Sequence, residues 1–289
     1  MDLMSILPIQ ILHGLVYGMV LFLLASGFTL IFGMMDVLNF SHGAFYMLGA
    51  YFSFSVLLLT GQFWLSLIIA PLGVGLFGMF VERVFLRKVH AYGHVPELLL
   101  TFGIAYILED VVKILWGTEP LKVKIPDILS GSLSILGEQY PIYRLFILLI
   151  SLLVFTFLFL MLFKTRVGII VRAAVAKKEM VGALGFNVPL IFLLLFAVGS
   201  WLAGIAGVIG GPYLLTHPGM GAAVLIDLFV VVVVGGLGSI QGAMLAAILI
   251  GELQSFGVLF VPQLSLFLEF LLLAVVLILK PEGLLGESK

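Results

Sequence analysis

Asp36, Asn39, Ser41 and His42 interrupt a stretch from Gly33 to Tyr51 that is otherwise apolar enough for a membrane interior. In such surroundings every polar group needs a hydrogen bond or water, so the segment is expected to face protein or a cavity rather than lipid. Two roles fit it. Asn39, Phe40 and His42 line or gate a pathway, or Asn39 or Ser41 serves as the N-cap of a helix that starts near Gly43. His42 has no second His, Cys or carboxylate at ligand spacing, and no metal site is expected. Further along, Asp227, Glu252 and Glu269 fall within apolar runs, Glu252 near the middle of its own. Carboxylates placed there either act in a pathway or gate, or are satisfied by bonds between helices. Glu109, Asp110 and Lys113 form a charged group in which Asp110 and Lys113, three apart, can pair.

Several chemistries are absent from the chain. No G-x-x-x-x-G-K-[ST] occurs, so this polypeptide cannot itself cradle and hydrolyse ATP; Gly236 to Gly242 has the wrong spacing for a dinucleotide turn. Neither H-E-x-x-H nor G-x-S-x-G is present, which speaks against an intramembrane hydrolase, and an enzyme is not expected. With no cysteine, there is no disulfide framework to read.

The elements that must hold these residues follow from composition. Of 289 residues, 63% are hydrophobic and 10% charged, with a mean hydropathy of +1.30, which describes a polytopic, all-α membrane protein. The 14 basic residues lie along the loops and form no phosphate-tracking stripe, so nucleic acid is not a partner. The first ten residues carry no Lys or Arg, so the first apolar run is expected to be retained rather than cleaved as a signal peptide. Apolar runs long enough for a ~30 Å hydrocarbon core lie at 9–33, 41–60, 63–82, 97–116, 144–163, 189–211, 223–241, 243–261 and 263–280. Eight or nine spans are therefore expected, with broken or re-entrant elements near 34–43 and 235–242, where Gly235, Gly236 and Gly238 cluster. Residues 1–289 form one transmembrane domain. Small-xxx-small pairs, Gly14 with Gly18 and Gly207 with Gly211, predict close helix packing.

Lys164 to Asn187 is the longest basic interruption between spans, carrying Lys164, Arg166, Arg172, Lys177 and Lys178. The positive-inside bias places it in the cytoplasm, together with Arg83, Arg87, Lys88, Lys280 and Lys289; Lys113, Lys122, Lys124 and Arg144 remain outside. Nine spans then give a periplasmic N-terminus and a cytoplasmic C-terminus, with 117–143 as the sizeable external loop. Between Arg172 and Gly185 the pattern predicts one or two short amphipathic helices, with Val171, Val175, Met180 and Leu184 sharing a face opposite Arg172, Lys177 and Lys178. A solvated basic loop or a knob for a partner both fit that pattern.

Five ordered motifs carry a resemblance. Asn39-Phe-Ser-His-Gly43 running on to Tyr51, the Glu82-Arg83 turn, the loop with Arg166, Gly168, Arg172, Ala173, Leu184, Gly185 and Asn187, Gly235 to Ala243, and Pro281 to Gly286 resemble the LivH-type permeases of branched-chain amino acid ABC importers. The resemblance runs nearly end to end and implies a bacterial or archaeal inner-membrane permease. It implies a LivM-like sibling, two cytoplasmic LivG-like and LivF-like ATPases that bind ATP and Mg, and a periplasmic solute-binding protein; this chain itself binds no cofactor. It also makes 164–188 the coupling loop, with Arg166, Gly168, Arg172, Ala173, Lys177, Met180, Leu184, Gly185 and Asn187 at the ATPase contact. Where the family commonly has an acid pair in mid-loop, Ala176 and Lys177 stand here, which implies a partner with a compensating acidic groove. Urea or small aromatic and carboxylic acids are alternative cargoes, and an ion-coupled secondary transporter using Asp227, Glu252 or Glu269 is an alternative class.

Overall fold

The computed structural model describes residues 3–135 and 137–286, with side chains described except at 3–6, 175, 176, 178 and 266. Val175, Ala176, Lys178 and Lys289, all named above, therefore lie wholly or by their side chains outside the described residues. Six helices are long and apolar enough to cross a membrane by length and composition. They are α1 (Leu3–Met35), α2 (His42–Thr60), α3 (Phe63–Val81), α6 (Ile142–Lys164), α9 (Val188–Leu214) and α11 (Ile240–Phe260). Two shorter apolar helices, α10 (Met220–Gly235) and α12 (Ser265–Leu279), accompany them. A π-helical turn, Glu82–Leu86, extends α3 into the single turn α4 (Arg87–Val89), and α5 (His94–Trp116) follows. Its length equals that of α6, but Glu97, Glu109, Asp110 and Lys113 make it the most polar of the long helices. Two short helices, α7 (Arg166–Ala176) and α8 (Lys178–Ala183), connect α6 to α9.

Glycine decides which helices touch. α1 packs on α11 through Gly14, Gly18 and Gly251; a Cβ on Gly14 would meet the backbone of Glu252 at 2.8 Å. α9 crosses α2 and α3 through Gly204 and Gly207, and a Cβ on Gly207 would strike the Tyr46 carbonyl oxygen. Without a solvent-driven hydrophobic force between helices, such backbone contact supplies the dispersion energy that holds them together. The core lies where α1, α2 and α9 meet, and Phe22, Phe45, Tyr46 and Phe196 are fully buried there.

The two ends of the bundle differ. At one, Arg87 Nη2 donates to the Pro189 carbonyl at 3.0 Å, α7 rests against α1, and Leu284 N and Leu285 N donate to the Val234 and Gly235 carbonyls at 2.8 and 3.0 Å. The other holds the antiparallel hairpin β1 (Ser132–Ile135) and β2 (Glu138–Pro141), with Leu121 bridged to Thr216. The run expected over 223–241 is corrected: the helix ends at Gly235, and Gly236 (φ 102°) and Gly238 (φ 86°) turn the chain back before α11.

Candidate functional site

The polar stretch 36–41 is a break inside the bundle. α1 stops at Met35; Asp36 takes φ 58°, a left-handed conformation that Asp tolerates better than most residues. The chain then runs back alongside α1, so that His42 Nε2, at the start of α2, donates to the Leu24 carbonyl over 3.1 Å. A carbonyl only accepts, which fixes the proton on Nε2. The His42 Nδ1 has no hydrogen-bond partner among the described residues, and the ring lies edge-on to Phe28 at 5.7 Å. Asn39, Ser41 and His42 are fully buried.

Of the two cap candidates, Ser41 needs correcting, whereas the Asn39 side chain does accept a backbone amide at the helix start. Ser41 occupies the cap position of α2, but its side chain makes no cap bond. Its hydroxyl and amide instead donate to Asn39 Oδ1 at 2.6 and 3.1 Å, which pins the Asn39 carboxamide at the helix start; its Nδ2 has no partner among the described residues. The Phe40 amide donates to Thr101 Oγ1 of α5 at 3.1 Å, fastening the break to that helix.

Over the break lies a cleft of about 90 Å³. Phe40, Ala44 and Met47 form its floor, Phe102, Tyr106 and Glu109 of α5 one wall, and Gly221, Ala222 and Leu225 of α10 the other. Of the predicted pathway residues, Phe40 lines this cleft, with Asn39 and His42 adjoining it in sequence. Asp227 and Glu252 do not. Asp227 accepts from the Tyr17 hydroxyl at 2.9 Å and lies within hydrogen-bonding reach of Glu269, joining α1, α10 and α12. Glu252 sits against Gly14 with its Oε2 unpartnered among the described residues. Tyr17 was missing from the predicted set, because a lone tyrosine in an apolar run carries no local signal of a partner 210 positions away.

The loop between α6 and α9 is capped at both ends: Thr165 Oγ1 accepts from Gly168 N at 3.2 Å, and Asn187 Oδ1 from Leu190 N at 3.1 Å. The Arg172 guanidinium lies over the Phe163 ring at 5.2 Å. Its predicted apolar face is corrected. Val171, Ala174 and Val181 are buried, whereas Met180 and Leu184 are 58% and 72% exposed. The reason is Lys177, whose φ −149° and ψ 88° interrupt the helix and reset its phase between α7 and α8. Val167, Ile169 and Phe186 are exposed as well, so the loop presents apolar side chains beside Arg166, Ala173 and Lys177. Gly185 adopts φ 89° with open space around it.

At the hairpin end, the Arg144 guanidinium lies over Tyr140 and Tyr213 at 5.7 and 5.6 Å and contacts His13 at 3.1 Å. Burial pushes the Tyr140 phenol above its usual range, with the Arg144 charge opposing. Glu109 and Asp110 pair with Lys113 at 2.8 and 3.2 Å. Among the described residues, no group of three or more His, Cys, Asp or Glu could hold a metal ion.

Comparison with known proteins supplies a context for this geometry. Residues 10–278 match the family described as branched-chain amino acid transport system / permease component. The chain is 31% identical to the high-affinity branched-chain amino acid transport system permease protein BraD of Pseudomonas aeruginosa, over 97% of this chain and 96% of that one. It is 28% identical to LivH of Escherichia coli with the same coverage, and 26% identical to a probable LivH of Methanocaldococcus jannaschii over 85% and 80% of the two chains. No solved structure matches it.

Proposed function

This chain belongs to the branched-chain amino acid transport system / permease component family, and from that membership we propose that it is one of two permeases in an ATP-driven importer of branched-chain amino acids. It is a multi-pass inner-membrane transport subunit and not an enzyme. On this reading a LivM-like sibling completes the pathway, LivG-like and LivF-like subunits bind and hydrolyse ATP with Mg, and a periplasmic binding protein delivers the amino acid. The N-terminus lies outside, nine elements cross or enter the membrane, and 164–188 faces the cytoplasm. The cleft over the break is this subunit's share of the pathway.

The observation that carries the reading is the exposure of Met180 and Leu184 on a basic, capped loop. In water such side chains favour burial against a partner, each Leu- or Met-sized group by about 1.5–3 kcal/mol. An ATPase groove that closes on ATP would grip them and, through α8 and the Arg87–Pro189 hydrogen bond, move α9 against α3. Because the chain lacks cysteine, Lys177→Cys gives a single label site. It should react with a membrane-impermeant maleimide in inverted vesicles and not in intact cells. Reaction from outside would end both the orientation and the coupling role.

The Tyr17–Asp227–Glu269 group is the one observation that favours a second reading, an ion-coupled secondary transporter. Uptake by the reconstituted assembly that needs ATP and survives collapse of ion gradients excludes it.

A further inference from the structure

The starts of α2 and α10 meet inside the bundle, backbone against backbone. A Cβ on Gly221 would lie 2.6 Å from the Gly43 carbonyl oxygen, and one on Gly43 would strike the carbonyl of Gly221. Each helix opens with donors left over. In α2 the His42 amide bonds Asn39 O and the Phe45 amide bonds Ser41 O, while Gly43 N and Ala44 N, in the first turn, have no acceptor within the helix. In α10 the Met220 amide bonds His217 O and the Ala223 amide bonds Gly219 O, and the first-turn amides of Gly221 and Ala222 likewise have no acceptor within the helix. Neither cap residue, Ser41 in α2 nor Gly219 in α10, makes a side-chain cap bond.

A helix N-terminus carries roughly half a positive charge. Two of them adjacent in a low-dielectric interior repel unless an anion or water lies between them. A second observation points the same way. The Asn39 carboxamide is fully buried, is held at the α2 start by both bonds to its Oδ1, and offers an Nδ2 donor with no partner among the described residues. Ala44, Gly221 and Ala222, the residues that carry three of the four free amides, line the cleft.

The geometry points to this junction as a receptor for the α-carboxylate of the transported amino acid, with the side chain laid on Phe40, Met47, Phe102 and Leu225. Glu109 is the one carboxylate among the described residues lining the cleft, and an α-ammonium bound there would share it with Lys113, 2.8 Å away. This site rests on the transport reading of the cleft and adds to it what the cleft recognises: a carboxylate held by main-chain donors, which no side-chain change can delete.

The test uses the full assembly in nanodiscs, without the receptor, and compares leucine with leucinamide, which lacks the carboxylate. Leucine raises the melting temperature and leucinamide does not. Ala222→Asp places a carboxylate at the junction; it raises the ligand-free melting temperature by about 2–4 °C, abolishes the leucine shift and lowers leucine uptake more than tenfold. Ala222→Asn, of the same size but neutral, leaves the ligand-free melting temperature unraised and lowers the leucine shift and uptake less than Ala222→Asp does. Equal shifts with leucine and leucinamide, no shift with either, or equal effects of Asp and Asn overturn the site. ATP-driven uptake by the parent assembly is scored separately: its absence removes the transport reading, whereas uptake without these discriminations removes only the carboxylate receptor.

Discussion

The Tyr17 hydroxyl donates to Asp227 Oδ2 over 2.9 Å, joining α1 to a helix 210 positions later in the chain. Inside a bundle such a bond is worth about 0.5–1.5 kcal/mol, because the separated helices find other partners. Tyr17→Phe and Asp227→Leu are each expected to lower the melting temperature of the assembly by a few degrees. The double variant should lose less than the sum of the two, since each removes the same bond. Additive losses would show that the two residues act independently.

Met180→Glu and Leu184→Glu place a charge on the exposed apolar tip of the loop between α6 and α9. Both should insert at normal levels, because neither side chain is buried in this chain, and both should cut ATP-driven uptake more than tenfold. Co-purification of the ATPases reads the cause directly. Full retention of the ATPases with either variant would place the contact elsewhere.

Arg87 makes a two-pronged pair with Glu82, Nε to Oε1 at 3.2 Å and Nη2 to Oε2 at 3.0 Å, and the carboxylate is buried while the guanidinium is 39% exposed. Removing only the cation strands a buried charge, at a cost of about 2 kcal/mol for a pair with one half-exposed partner. Arg87→Ala is thus expected to be less stable than the Glu82→Gln, Arg87→Ala double variant in thermal unfolding. Lysine should rescue poorly, because it cannot fork.

Two glycines should respond differently to alanine. Gly207 has ordinary helical backbone but no room, since the added methyl would strike the Tyr46 carbonyl. Gly185 has room but φ 89°. Gly207→Ala should reduce assembled protein in the membrane, whereas Gly185→Ala should assemble normally at a local cost of about 1 kcal/mol. Gly185→Asn should cost less, as asparagine accepts the left-handed region more readily. Yield after affinity purification separates the two cases.

Much of the architecture was legible because membrane helices announce themselves by run length. The starts of α2, α3 and α6 and the glycine-rich turn after α10 lie close to where hydropathy puts them. The charged cluster on α5 pairs as its spacing suggests, with Glu109 added to Asp110 as a partner of Lys113. What the pattern missed was phase and distance. Helical periodicity extended through Lys177 groups Met180 with Val171, but one non-helical residue rotates them apart. Ser41 has the residue type of a cap yet bonds Asn39 instead, because the carboxamide beside it competes for the hydroxyl. Nor does any local rule tell that Gly43 meets Gly221, or that Tyr17 and Glu269 flank Asp227, since those contacts depend on how the helices cross.

The carbonyls of Val234 and Gly235 receive their protons from Leu284 and Leu285, donors that the ribosome makes only after α11 and α12 have been synthesised. Until then the reversal between α10 and α11 lacks the two bonds that close it. A chain cut short of Leu284 therefore lacks the donors that close this reversal in the full-length subunit.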